Sequence, residues 1–244
     1  MHLYYILSIK DFLNAKDCFP NVDIKGGVHY FLWDRDNPGD CRINTYQNNK
    51  IISTMTRPLK ENDYNFFIRY NDSIPILRKI ARFKEEPLSK YVSSQRPFGL
   101  STNFNNFKKI KSNDTVKVYA YKKIGYVSLK DIKKNLDIID SWKVLVPKAV
   151  GSGESDKDIF KPLLAEPKSV CTETYIVIGY FDSKLKAENL ISYINTNFFH
   201  FLVTLVKNTQ DALRRVYQLV PMQNFEENWT DKKLENKYGI NEKE

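Results

Sequence analysis

Gly26-Gly27-Val28-His29-Tyr30-Phe31-Leu32-Trp33 is a short run of β-branched, aliphatic and aromatic residues entered through two glycines. That composition predicts a buried strand over 27–33. Asn37-Pro38-Gly39 follows as a turn signal, and Cys41–Tyr46 reads as the returning strand, so 27–46 is expected to form a hairpin. Ile51–Thr56 offers a third strand. Arg57-Pro58 and the polar residues through Asn65 mark a boundary, which sets a small N-terminal sheet (residues 1–58) apart from the remainder (59–244).

Working outward, Asp72-Ser73 and Pro75 suit the start of a helix that presents Leu77, Ile80 and Ala81 and ends before Pro87. Residues 93–106 are polar and contain Gly and Pro, as a loop should. Val116–Tyr121 alternates like a strand, Gly125–Val127 adds an edge, and Ser128-x-x-Asp131 is a capping-box pattern. Trp142–Pro147 and Tyr175–Phe181 read as strands, separated by a glycine- and serine-rich loop at Gly151–Asp156. From Lys184 the period changes: Leu190, Ile194, Phe198, Phe201, Leu202 and Leu205 recur at helical spacing, as one long helix or two abutting ones. Thr230 caps a last helix closed by Gly239. The expected class is mixed α/β (α+β), with helices toward the C-terminus.

The chain has 244 residues, 42% hydrophobic and 14% aromatic, enough for an ordinary folded core. No apolar run approaches the ~20 residues of a membrane helix. Met1–Leu7 has neither a basic leader nor a cleavage site, and Cys18, Cys41 and Cys171 match no disulfide or zinc pattern. The expected compartment is the cytoplasm, with no membrane partner. A net charge of +9 favours polyanionic partners, although a lysine-rich solvated surface produces the same excess.

No catalytic constellation is present, so no catalytic, cofactor-binding or metal-ligating residue is assigned. His29 sits in the apolar 27–33 run and His200 between two phenylalanines, both read as packed. Gly151 and Gly153 do not extend to a dinucleotide fingerprint, since Asp156 stands where a third glycine belongs, and there is no Walker lysine. Asp23-Ile24-Lys25, with Asp11 or Asp17, matches a Mg²⁺ nuclease triplet; a surface-paired lysine is the preferred reading. Amino-methylation needs an Asn/Asp-Pro-Pro-aromatic loop to grip the flipped base, and neither tripeptide occurs. No glycine-rich loop follows a first strand.

Several segments are familiar as a set. Cys18-Phe-Pro-Asn-Val-Asp-Ile-Lys-Gly-Gly-Val-His-Tyr-Phe-Leu-Trp-Asp34 resembles the stretch after the catalytic loop in type II restriction-modification adenine methyltransferases. Ser94–Leu100, Trp142–Ala149 with Gly151-Ser-Gly153, and Val170–Tyr175 resemble the target-recognition domain of that family. Asn195–Phe199, Thr209-Gln210, Val220–Phe225 and Trp229–Asp231 resemble its C-terminal part. The resemblance implies that 1–58 is a remnant of a Rossmann-like methyltransferase sheet. It implies that 59–244 is a recognition domain similar to those of type I specificity subunits. It further implies N6-adenine methylation with S-adenosylmethionine by a complete enzyme, but the family pattern ahead of about residue 18 has no counterpart here. The expectation is therefore a sequence-specific DNA recognition module, inactive by itself. Its expected partners are double-stranded DNA and a methyltransferase catalytic segment or subunit, or a second copy through an exposed sheet edge. The alternatives are a divergent nuclease using Asp23 and Lys25, and an interaction subunit that does not touch DNA.

Recognition combines phosphate contacts, which set register, with base-edge contacts, which read sequence. In the loop Ser94-Gln95-Arg96, Gln suits adenine and Arg suits guanine. Lys108, Lys109, Lys148, Lys161 and Lys168 are candidate phosphate contacts, each against a reading as a solvated lysine. Ser152 lies in a glycine loop that allows close backbone approach or simply connects. Thr172-Glu173 enters a strand, where Glu173 accepts from cytosine N4 or caps a turn. Arg214 faces DNA or an acidic partner.

Overall fold

A computed structural model describes residues 5–21, 24, 26–61, 64, 66–150, 160–207 and 210–241. These contain ten strands in three sheets and four α-helices, a mixed α+β chain. It divides into two compact units, 1–84 with 240–244, and 85–239. Among the described residues no helix is long and apolar enough to cross a membrane.

The first unit holds one four-stranded sheet. Its strands are β1 (Ile6–Phe12), β2 (Val28–Trp33), β3 (Cys41–Gln47) and β4 (Lys50–Arg57), arranged β2-β1-β3-β4. β1 runs antiparallel to β2 and parallel to β3, while β3 and β4 form the hairpin, turning at Asn48 and Asn49 with φ of 52° and 58°. The expected hairpin over 27–46 does not form. β1 lies between its two arms, because Ile6 and Ile9 of β1 pack with Cys41, Ile43 and Leu59 in the small core of this unit. The expected burial of 27–33 is also overturned: β2 is an edge strand, with Leu32 58% and Trp33 47% exposed, and His29 is exposed too. A continuous apolar run does not tell a central strand from an edge strand carrying apolar residues on both faces.

The glycines ahead of β2 serve a close approach. A Cβ at Gly27, whose φ is +73°, would lie 2.2 Å from the Phe12 carbonyl oxygen and 2.4 Å from Arg69 Nη2. Arg69 forks onto the buried Asp11, with Nε to Oδ2 at 2.6 Å and Nη2 to Oδ1 at 2.9 Å, and its Nη1 donates to Gly26 O at 2.7 Å. Helix α1 (Ile74–Ala81) buries Ile74, Ile76, Leu77 and Ile80, close to the face read from its sequence.

The second unit carries two three-stranded sheets. One, in the order β6-β5-β9, joins β6 (Lys123–Ser128), β5 (Thr115–Ala120) and β9 (Ser169–Cys171). The other, β10-β7-β8, joins β10 (Tyr175–Phe181), β7 (Trp142–Pro147) and β8 (Leu163–Ala165). Val118, Val127, Leu145, Ala165, Val170 and Val177 from both sheets share one core with Phe98 from the preceding loop. Of the two helical readings, two abutting helices are found: α2 (Lys184–Ile194) and α3 (Asn197–Thr204), parted at Asn195-Thr196. Thr196 Oγ1 accepts from Phe199 N at 3.1 Å, which starts the second helix. Phe198 and Phe199 are buried in packing, the former stacked on Tyr238 at 5.1 Å. Helix α4 (Asp231–Tyr238) begins at a Thr230 cap and ends at Gly239 with φ +65°, as its sequence predicts. The capping box at Ser128 is not made: its side chain caps nothing, and only a single 3-10 turn follows over Leu129–Asp131.

Candidate nucleic-acid interface

Ser93–Leu100 is a loop by sequence, yet it is tightly held. Ser93 N donates to Val177 O at 2.9 Å and Val177 N donates back to Ser93 Oγ at 3.0 Å. Phe98 and Leu100 are buried in the core, and Asn135 Nδ2 donates to Pro97 O at 2.7 Å. Arg96 takes a left-handed conformation with φ +57°, and Gly99 N closes the turn on Arg96 O at 3.1 Å. A non-glycine residue in this region is costly, and such positions gather where the surrounding structure over-determines them. Both ends of the Ser94-Gln95-Arg96 segment are therefore anchored while its side chains stay exposed.

Glu173 gathers the side chains of Gln95 and Arg96, while that of Ser94 stays exposed beside them. It is only 6% exposed, and its backbone N–H donates to Leu100 O at 2.9 Å, which docks it against the same loop. Its carboxylate accepts from Gln95 Nε2, from Arg96 Nε at 2.5 Å and from Lys148 Nζ at 3.4 Å. Burial alone would raise its pKa, but the hydrogen bonds from Gln95, Arg96 and Lys148 outweigh that and hold it below the ordinary glutamate value. Arg96 keeps Nη1 and Nη2 without a partner among the described residues, on a side chain 54% exposed. A guanidinium fixed through Nε presents a two-donor fork, the shape that matches guanine O6 and N7 or a phosphate.

The other candidates divide. Lys148 belongs to the Glu173 cluster through its ammonium and its backbone bond to Thr174 O at 2.8 Å, whereas Thr172 is buried with its hydroxyl on Thr174 Oγ1 at 3.1 Å and does not reach the carboxylate. Arg214 Nε donates to Val92 O at 2.7 Å, bracing the root of the Ser94–Arg96 loop. Lys108 and Lys109 lie on the outer side of β6, where Lys108 exchanges backbone hydrogen bonds with Tyr126 and its ammonium stands 3.7 Å from Asp114. Lys168, with φ +60°, precedes β9 at the end away from Glu173, roughly 16 Å along the strand. Lys161 is exposed, two residues ahead of β8, and makes no hydrogen bond or ion pair with the cluster. Ser152 and the rest of the 151–156 loop, Thr209, Asp23 and Lys25 lie outside the described residues.

Of the carboxylates considered with Asp23, Asp11 has both oxygens on Arg69, and Asp17 accepts from Asn49 N at 3.4 Å. Among the described residues no group of three or more His, Cys, Asp or Glu side chains is placed to hold a metal ion. β1 leads into Leu13-Asn14-Ala15, with no glycine to let a backbone approach a nucleoside closely, so this turn does not fit S-adenosylmethionine.

Two polar features escaped the sequence reading. Lys143, the second residue of β7, is fully buried, and its Nζ donates to the carbonyls of Ile138 (3.1 Å), Ile139 (2.9 Å) and Ser141 (2.6 Å). Burial lowers its pKa to about 8. Lys143 interrupts an otherwise apolar strand, and that lone polar residue is the signal that would have marked it. Glu166 accepts from Lys117 Nζ at 2.6 Å and from the Tyr119 hydroxyl, tying β5 to the β8–β9 connection.

No family model matches the chain. A 75-residue stretch, 31% of this chain, is 35% identical to a protein of Mycoplasma pneumoniae described as an uncharacterized adenine-specific methylase. The matched stretch covers 18% of that protein, so the chain spans under a fifth of the length of the curated relative it matches.

Proposed function

We propose that the chain is a sequence-specific DNA recognition module working with an N6-adenine methyltransferase of a restriction-modification system, and that it does not catalyse methylation alone. The observation that carries this reading is the Glu173 cluster: Gln95, Arg96 and Lys148 meet around one buried carboxylate. A held loop offers an arginine fork and an amide, the two side-chain types best suited to guanine and adenine. The likeness to a protein described as an adenine-specific methylase supports the methyltransferase association. The chemistry would come from elsewhere, since neither the base-gripping tripeptide nor a cofactor turn is found in this sequence.

The partner in this reading is the catalytic segment, docking on the first unit. Among the described residues β2 has an unpaired edge, and it exposes Tyr30, Phe31, Leu32 and Trp33 without a lysine or proline to blunt it. Leu32→Lys should abolish association with a catalytic partner in size-exclusion chromatography; a self-dimer that Leu32→Lys dissociates would assign the edge to a second copy instead.

The deciding experiment is duplex binding by fluorescence anisotropy over a salt series, with a library of duplex sequences as competitors. The reading expects affinity that falls steeply with salt and differs between sequences. Arg96→Ala should weaken the preferred sequence by about 1–3 kcal/mol. Binding that is absent at low salt, or indifferent to sequence, would refute it.

A further inference from the structure

The hairpin joining β5 and β6 turns at the same end of its sheet as the Glu173 cluster. β5 and β9 are parallel, with Tyr119 opposite Cys171, and Thr172 N donates to Tyr119 O at 2.9 Å. The turn thus begins at the level where the chain leaves β9 for Thr172 and Glu173, one strand spacing (about 4.8 Å) away. Ala120 pairs with Lys123, which leaves Tyr121-Lys122 as a two-residue turn, and Lys122 sits in the left-handed region with φ +51°. Glycine or asparagine takes that conformation at lower cost. Backbone preference therefore does not account for the residues found at this tip.

What the tip presents is aromatic and cationic. Tyr121 is 63% and Ile124 59% exposed, and Lys122 and Lys123 are exposed between them. Neither lysine has a carboxylate partner among the described residues; Lys122 Nζ lies 5.2 Å from the Tyr121 ring centre and Lys123 Nζ 3.8 Å from that of Phe107. An open depression of about 400 Å³ lies beside the tip, lined by Tyr119, Ala120, Lys122, Lys123, Leu163 and Tyr175. Tyr175 follows directly on the Thr172–Thr174 segment, so the depression joins the tip to the cluster.

We infer that the Tyr121–Ile124 tip is a second grip on the duplex contacted at Gln95 and Arg96. Lys122 and Lys123 neutralise backbone phosphates beside the site, and the Tyr121 ring packs on a sugar. The inference rests on the DNA-recognition reading and extends its contact surface to residues chosen by position in the fold. A duplex is favoured over an acidic protein because unpaired cations, a flat ring and the reading cluster all meet at one sheet end.

The test uses the full chain and a fluorescein-labelled mixed-sequence duplex. Lys122→Ala/Lys123→Ala should lower affinity about tenfold at low salt, equally for all sequences, and reduce the slope of log K against log salt by about 2. Tyr121→Ala should lower it a further few-fold. Lys232→Ala, on the distant exposed face of α4, is the matched control and should change neither quantity. Melting temperatures should be unaltered in all three, since each side chain is exposed. If the wild type binds and Arg96→Ala weakens it while the hairpin variant keeps its affinity and slope, the inference falls and the recognition reading stands. A hairpin variant that loses sequence preference but keeps its salt slope also overturns it. If the wild type binds no duplex, the recognition reading falls, and this inference with it.

Discussion

Replacing Glu173 by Gln removes one charge and keeps the shape, which makes it the sharpest probe of the cluster. Arg96 is half exposed, so solvent screens its ion pair to under about 1 kcal/mol, and the 3.4 Å contact from Lys148 contributes about 0.5 kcal/mol. The introduced amide can still accept from Gln95, but its NH2 group would face the Arg96 donor and lack an acceptor, costing about 1 kcal/mol. Relief of a buried charge offsets part of this. The expected net loss is about 1–2 kcal/mol at pH 7, read by urea denaturation followed through circular dichroism. The Glu173 pKa is depressed in the folded chain, so its contribution is present above the unfolded carboxylate value and fades as pH falls through the folded one. Wild type and Glu173→Gln should therefore converge in stability in acid. If the chain reads DNA as proposed, the variant is more cationic by one charge, so non-specific binding at low salt should not weaken, whereas discrimination between sequences should drop as Gln95 and Arg96 lose their anchor. A variant equal to wild type in stability, in pH dependence and in discrimination would refute the positioning role.

Two further outcomes follow from buried groups. Gly27→Ala must move the Phe12 carbonyl or displace Arg69 from Asp11, and it places an alanine at φ +73°, so a loss of at least about 3 kcal/mol in thermal unfolding is expected; a loss under about 1 kcal/mol would contradict the packing. Lys143 has a folded pKa of about 8 against 10.5 for the free side chain, so between those values the unfolded chain holds the additional proton and rising pH stabilises the fold. The gain is up to about 3 kcal/mol. Lys143→Met should lack that rise when urea midpoints are compared on either side of the window, and a variant that keeps it would place the titration elsewhere.

Strands buried by their own local pattern were legible in the sequence. β7 and β10 fall where Trp142–Pro147 and Tyr175–Phe181 predicted them, and the Thr230 cap and Gly239 bracket α4. Strand order was not legible. Nothing local in Val28–Trp33 says that Ile6–Phe12 will come between it and Cys41–Gln47, because that choice is made by a small core assembled across the chain and by the Arg69–Asp11 fork. β8 and β9, three residues each, are too short for any periodicity to register. At the candidate interface, residue chemistry singled out Gln95, Arg96, Lys148, Thr172 and Glu173 separately. The meeting of Gln95, Arg96 and Lys148 at Glu173 depends on the backbone bond from Glu173 to Leu100 and on the β7–β10 pairing that sets Lys148 beside Thr174, long-range contacts no spacing rule carries. The β5–β6 tip was passed over for a different reason: its turn residues are Tyr121-Lys122, not the Asn-Gly type that marks a tight hairpin.

On the proposed recognition reading, the buried carboxylate of Glu173 also bears on how the chain would be given a new target. Gln95, Arg96 and Lys148 share one acceptor, so they form a single mutational unit: exchanging Arg96 alone alters the charge balance around Glu173, and exchanging Glu173 alone frees three donors at once. Altered specificity should therefore be found among coordinated changes at positions 95, 96 and 173, where a new reader and its anchor arrive together. Libraries that vary one position at a time would cross a stability valley and discard the variants they seek.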